Sequence, residues 1–509
     1  MTQGRSPGMT RGRSTRRTPG SRRYARLPRL LVAAGAAAAA TVLGLALVRR
    51  RVGQLRFRRG LAAAQLAVRG GLRYAGSAPR LFVAAGENRE RLRTDLAMQT
   101  ADDITATLGT MKGVMVKLGQ MASYVDEGLA PSVRRTLSRL QDSVPPMSAE
   151  LAAGVIEEEL GLRPERLFAR WDPEPIAAAS IGQVHRAITA DGLAVAVKVQ
   201  YPGIAEMMAA DLDNVSLLRR MLRVTAPSQD VDALIAELRE RVLEELDYRR
   251  EAVNQQLVHD YYAGHPTISV PAIVPELSAR RVVTSELAIG ARFSEVLSWP
   301  QHEQDLAGET LYRFVFRSLY EVHAFNGDPH PGNYLFHGDG KVTFLDFGMV
   351  KHFTDTDILP LMEMARTLCV AGEPAEFRAS LEEAGFLVPG APLSDEQIVD
   401  HLAVFYQLVR ENEDVTVTGE YASSVVRRFF DVRSPVAQWA RIPRSYVILQ
   451  RINLGLFALL GEMKATANWR AIAEEIWPFM LAPPSTPMGA AELPWLAART
   501  AVARSLTQS

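Results

Sequence analysis

A chain of 509 residues holds one cysteine, Cys369. A lone thiol excludes an internal disulfide and any cysteine-rich zinc site, and it fits a reducing compartment without redox chemistry. Acid is missing from the N-terminal stretch: residues 1–86 carry 18 arginines, and the first aspartate or glutamate is Glu87. The remainder holds 40 basic and 57 acidic residues, so a net charge of +1 conceals a basic head on a body of about −17. That asymmetry suits a head that meets an anionic surface, and it gives the body no electrostatic footprint for nucleic acid. Lysine is scarce, six of the 58 basic residues. With 47% hydrophobic content the chain is not disordered and is long enough for two or three domains.

Long apolar runs are rare too. The exception, "LLVAAGAAAAATVLGLALV" from Leu30 to Val48, is 19 residues without a charge, bracketed by Arg29 and by Arg49, Arg50 and Arg51. It is long enough to span a bilayer and reads as a transmembrane or membrane-associated helix. A buried alanine-rich helix or a cleaved targeting segment is the alternative. Nine arginines precede it, so a body facing the cytosol would leave them outside. Either the basic run after the segment overrides that preference, or the segment adheres to anionic lipid without crossing. The tail, "MGAAELPWLAARTAVARSLTQS", has no run of comparable length.

What is present after Glu87 is amphipathic helix to about Leu140, ended by Pro145 and Pro146 and containing "VMVKLGQMAS". Then "EPIAAASIGQVHRAITADGLAVAVKVQYPG" reads as strand, small-residue turn, strand, a hairpin turn at Asp191-Gly192, and a third strand that ends at Lys198. The turn Ala177–Gly182 has side chains small enough to let backbone N–H groups approach phosphates. A lysine in "VAVKV" needs an anionic partner if it is buried; otherwise it is an edge residue facing water. A helical stretch from about Asp230 to His259 carries "EELDYRREAVN", in which Glu245 and Asp247 point to different faces. Two strands, around "ISVPAIV" and "RRVVTSEL", lead to a helix expected from about Glu303 to Phe325.

The next stretch is "DPHPGNYLF", with Asp328 and Asn333 five apart in a loop stiffened by Pro329 and Pro331. A hairpin through Gly338-Asp339-Gly340 brings Asp346, thirteen residues after Asn333, back toward it. Asn333 and Asp346 are hard-oxygen ligands suited to a divalent cation on a polyphosphate, and stiffness preorganises them. His330 is read as a structural hydrogen-bonding residue rather than a ligand. After Gly348 only a few residues precede the helix start at Thr354-Asp355, and no A-P-E segment follows, so little room is left to hold a peptide.

A lysine on the third strand, an acidic helix, an Asp-x4-Asn loop and Asp-Phe-Gly form the phosphoryl-transfer order of the protein-kinase fold. There is no G-x-G-x-x-G, and "GDPHPGN" stands where a typical kinase has H-R-D. With "KLGQ" (Lys117–Gln120), "LQDSVPPM", "AAASIGQVHRA", "VAVKVQ", "ELDYRREAVN", "DPHPGN" and "DFG", residues 90–350 resemble the UbiB (AarF, ADCK) family of atypical kinases. The resemblance implies that Lys198 contacts nucleotide phosphates with Glu245 as its helix partner, that Asp328 is the catalytic base, and that Asn333 and Asp346 hold Mg2+. It implies that Ala177, Ala178, Ala179 and Ser180 form an alanine-rich nucleotide loop. Lys117 and Gln120 would fold over the active site, and Glu245 and Asp247 would be the companion acidic motif. Which acid pairs with which lysine stays open at this stage.

The expected fold is α+β, a bilobal kinase-like body with an N-terminal helical extension. The divisions are a basic head (1–29), the apolar segment (30–48), a basic linker (49–86), the extension (87–150), a β-rich N-lobe (151–288), a helical C-lobe (289–482) and a tail (483–509). The expected activity is a membrane-associated atypical kinase or ATPase using ATP or ADP with Mg2+. The resemblance points to isoprenoid quinone or related lipid handling, with anionic lipid, an isoprenoid lipid and quinone-pathway proteins as partners. The alternatives are a small-molecule or lipid kinase and a catalytically weak nucleotide-binding scaffold.

Overall fold

The computed structural model describes residues 147–507, apart from 180, 214–242, 430, 432, 442 and 444–445. The segment Leu30–Val48, Lys117, Gln120 and Ser180 lie outside the described residues. None of the helices among the described residues is long and apolar enough to cross a membrane.

Helix α1 (Ala149–Leu160) starts where the Ser148 side chain caps the N–H of Leu151 and stops at Gly161, whose φ of 80° is open to glycine. Its buried face, Ala152, Ala153, Val155 and Ile156, packs on an antiparallel sheet of β1 (Arg170–Ala178), β2 (Gly182–Ile188), β3 (Ala194–Gln200) and β5 (Val282–Glu286), in the order β1-β2-β3-β5. Alternation decides which strand is central. Val195, Val197 and Val199 are fully buried, each contributing about 1.5–3 kcal/mol of apolar burial, while Lys198 between them faces the other side of the sheet. The expected Asp191-Gly192 turn is present: Thr189 N–H donates to the Leu193 carbonyl at 2.9 Å, and Gly192 has a φ of 92°. The β1–β2 connection is tighter than expected. Ala177 and Ala178 remain paired with Val184 and Gln183, and beyond them Ala179 N–H donates to the Gly182 carbonyl at 2.9 Å. Gly182 is required there, because a Cβ would lie 2.3 Å from the Val199 carbonyl oxygen.

The expected acidic helix is not continuous. It breaks at Leu246–Asp247, and Asp247 becomes the cap of α2 (Tyr248–Tyr262) by accepting from Arg249 N–H. An aspartate outside the helix satisfies an orphan N–H, which costs less than continuing with it inside. After β4 (Ile268–Ser269) comes α3 (Gln301–Arg317), which ends eight residues before the expected Phe325. A π-helical turn, Ser318–Val322, and His323 in a left-handed conformation (φ 53°) bend the chain into β6 (Ala324–Asn326). Strands β7 (Tyr334–Phe336) and β8 (Val342–Phe344) make the expected hairpin, and β4 joins β8 in parallel. Strand β9 (Val350–His352) pairs with β6. The helix α4 (Asp355–Ala365) follows at once, capped by a Thr354–Asp357 box.

The large lobe is helical, with α5 (Val447–Met463) and α3 in one continuous core that includes Phe314, Phe344, Phe457 and Trp469. The stretch expected as a tail holds the helix α6 (Pro487–Thr507), which presents buried Met488, Glu492 and Trp495 to this lobe and is anchored by charge. Glu492 is 1% exposed and accepts from Arg317 at 2.6 Å and Arg313 at 3.2 Å, with His265 at 3.1 Å. Arg313 also reaches Glu309 and Glu475, both at 2.8 Å. The Nδ1 of His265 accepts backbone N–H groups of Thr267 and Ile268, so its proton sits on Nε2 and donates to Glu492. Removing one partner of such a network strands buried charge. Glu492→Ala is therefore expected to lose about 3–5 kcal/mol in urea unfolding, while Glu413→Ala, on the exposed surface, changes stability by less than about 0.5 kcal/mol.

Candidate active site

Four elements bring the site together. The β3 strand delivers Lys198, whose side chain is 14% exposed; its Nζ donates to Glu251 Oε1 at 2.6 Å and to Asp346 Oδ2 at 3.3 Å. The ring of Tyr248 lies 5.2 Å from the same ammonium. Lys198 is therefore the buried lysine with an anionic partner, not an edge residue. The partner is Glu251, which corrects the expectation of Glu245. The break at Leu246–Asp247 explains the difference. Glu245 lies before it, where its backbone carbonyl accepts from Gln200 at 3.5 Å, and Asp247 is occupied by its cap and by Arg249. Within α2 the buried residues are Tyr248, Glu251, Gln255, Val258 and Tyr262, a helical 3–4 spacing that puts one carboxylate on the inward face. That spacing was a readable signal.

The loop after β6 supplies the rest. Asn326 accepts from Asp328 N–H at 3.2 Å and donates Nδ2–H to the Asp346 carbonyl at 2.8 Å, clamping the two aspartate segments together. Asn333 donates Nδ2–H to the Asp328 carbonyl at 3.0 Å and to its carboxylate at 3.3 Å. The Asn333 carbonyl accepts from Leu345 N–H at 2.8 Å. These bonds use the amide nitrogen and the backbone carbonyl of Asn333 and not its side-chain oxygen. Asp346 has a φ of 59°, a left-handed conformation of the kind kept at functional sites, and its Oδ1 accepts from Gly348 N–H at 3.1 Å. His330 accepts from Gly332 N–H at 3.0 Å, the structural role expected of it. The loop is also braced from outside: a Cβ on Gly455 of α5 would fall 2.1 Å from the Pro329 Cγ, so glycine permits helix and loop to touch.

No cluster of three or more His, Cys, Asp or Glu side chains suited to a metal occurs among the described residues. One carboxylate and one amide oxygen still suit Mg2+, which keeps several waters and takes one or two protein ligands beside substrate phosphates. Of the expected loop residues, Ala177 and Ala178 lie exposed at the end of β1 and Ala179 begins the turn.

The electrostatics follow from one cation between two carboxylates. Burial disfavours a charged Lys198, but Asp346 and Glu251 outweigh it and raise its pKa well above the usual value. Burial pushes the Glu251 carboxyl up to about 7, against the attraction of Lys198 and assisted by Asp346, because the trio carries one negative charge in excess.

The ABC1 atypical kinase-like domain matches residues 139–373 of the chain. Residues 139–373 are thus a domain of the UbiB, AarF and ADCK type of atypical kinase. The chain is 35% identical over 286 residues to the mitochondrial atypical kinase COQ8B of Rattus norvegicus, a match covering 56% of this chain and 51% of that one. It is also 35% identical over 366 residues to a chloroplastic aarF domain-containing protein kinase of Arabidopsis thaliana, covering 70% of this chain and 51% of the relative. The chain thus spans about half the length of these curated relatives. Among solved structures it is similar to Rv3197 of Mycobacterium tuberculosis in complex with erythromycin, with a TM-score of 0.57 and 29% identity, over 78% of this chain and all of that one.

A proton held on Glu251 up to about pH 7, against about 4.5 for the unfolded chain, contributes stability that is full below pH 4.5 and lost as pH rises through 7. Urea unfolding from pH 4.5 to 8 should therefore show the stability of the natural chain falling relative to Glu251→Gln across that window and running parallel above it.

Proposed function

We propose that the chain binds a magnesium nucleotide in this site and transfers or hydrolyses its terminal phosphate. The observation that supports this reading most is the Lys198–Glu251–Asp346 constellation beside the Asp328–Asn333 loop, because those side chains on those elements are the positioning and charge-neutralising parts of phosphoryl transfer. Lys198 holds phosphate oxygens while Glu251 fixes its rotamer. Asn333 and Asp346 would hold Mg2+, which neutralises charge on the polyphosphate. Asp328, pinned by Asn326 and Asn333, orients the attacking hydroxyl or water and accepts its proton. By the family resemblance Lys117 and Gln120 would act as a cover over the site, and the alanine-rich stretch Ala177–Ser180 would approach the nucleotide.

A peptide is disfavoured as the acceptor. Between Gly348 and Asp355 the chain runs through β9, paired with β6, directly into the capped α4, where a protein kinase places its peptide-binding segment. The acceptor we propose is a small molecule or lipid at a membrane surface, within isoprenoid quinone synthesis or handling, as the COQ8-type relatives suggest. The basic head and Leu30–Val48 would bring the body to anionic lipid. A second reading rests on the Mycobacterium tuberculosis relative captured with erythromycin: a nucleotide-driven protein that binds amphipathic macrocycles.

The test is magnesium-dependent ATP hydrolysis by the full chain, with and without anionic liposomes, beside Asp346→Asn and Lys198→Ala. Turnover stimulated by liposomes should fall at least 100-fold in both variants, the scale expected when phosphate positioning and charge neutralisation are removed. Nucleotide binding without turnover above the variants would replace the enzyme with a scaffold.

A further inference from the structure

A cavity of about 110 Å³ lies within the helical lobe, apart from the nucleotide site. Regular helices, α3, α4 and α5 among them, supply about half of its walls, and segments of other helical geometry supply part of the rest. Leu319 and Tyr320 belong to the π-helical turn after α3, and Phe405 and Tyr406 to a 3-10 segment, Ala403–Val409. Continuing α3 or Ala403–Val409 as regular helix would rotate these side chains away, and π-helical turns, rare in themselves, are frequent at functional sites.

The lining has a definite chemistry. Among the described residues no charged side chain faces the cavity, and nearly half of its lining is aromatic, including Phe316, Phe457 and Trp477. Two amides break the apolar surface, Gln450 and Asn453, three apart on α5 and both half-buried. A separation of three residues places them on one helix face. Neither makes a side-chain hydrogen bond to the described residues, although other half-buried amides such as Asn254 and Asn326 do. A purely apolar void of this order, about 150 Å³ in an engineered case, stays dry and takes a single ring. Here a ring finds edge and face partners, and an acceptor on the ring finds two amide donors.

We propose that this cavity is a binding site for an uncharged ring-bearing molecule with a carbonyl-type acceptor, the ring among Phe316, Phe457 and Trp477 and the acceptor on Gln450 and Asn453. The site is separate from the one that holds nucleotide, so the proposal does not rest on catalysis. It does touch the same scaffold: α5 carries both amides and Gly455, whose Cα lies against Pro329 beside Asp328.

The experiment uses the full chain and three probes with one phenyl ring each: acetophenone, toluene and benzoate. Binding is read as a saturable rise in melting temperature followed by circular dichroism. Acetophenone should bind about tenfold more tightly than toluene, the scale of one or two net hydrogen bonds, and benzoate should give no shift. In Gln450→Leu/Asn453→Leu the advantage of acetophenone should vanish while toluene still binds. Met364→Trp, which fills the cavity, should abolish both shifts. Should that variant fail to fold, the acetophenone-to-toluene ratio in the amide variant decides alone. Equal binding of the two probes by the natural chain, an acetophenone advantage that survives loss of both amides, or no shift with either probe overturns the proposal.

Discussion

Everything at the candidate site depends on one buried ammonium. Lys198 is carried by a strand whose other face is the apolar heart of the small lobe, so its position is fixed by the packing of Val195, Val197 and Val199. On its own face it meets a carboxylate from the helix and another from the segment that follows the hairpin. A cation in that position cannot be left unmatched, and matching it obliges three parts of the chain, far apart in sequence, to meet at one point. The geometry expected of a nucleotide site is thus also the least costly arrangement for this lysine.

The second half of the site is held differently. Around Asp328 the constraints are local: two prolines, an asparagine on each side, and a helix whose glycine lets it lean on the loop. The trio around Lys198 is held by long-range charge, whereas the loop is held by short-range hydrogen bonds and by steric contact. Direct passage from β9 into α4 closes off the space where a longer segment would lie.

Much of this was legible in the sequence, and the reasons differ by residue. Pro329, Pro331, Asn333 and the glycine hairpin announce their geometry because proline and glycine restrict or release the backbone whatever surrounds them. Strand alternation around Lys198 was equally plain. The partner of the lysine was misassigned because an Asp outside a helix and a Glu inside one look alike until the break is placed; Asp247 as a cap, with the inward 3–4 spacing from Tyr248, marks that break. The early end of α3 had no sequence signal, since π-helical geometry is selected by tertiary packing. The docking of α6 was hidden for a related reason: Glu492 reads as a solvated acid, and only Arg313, Arg317 and His265, more than 170 residues away, turn it into a buried anchor.

The hairpin that joins Asn333 to Asp346 has a consequence for how the molecule is assembled. Contacts across thirteen residues close quickly, whereas Lys198 and Asp346 are separated by 148, and the entropy of closing a loop grows with its length. Asn333 and Asp346 therefore face a smaller closure cost than the long-range pair does. Completion of the candidate site then coincides with the joining of distant parts of the chain, so the constellation around Lys198 is whole only once those parts have met.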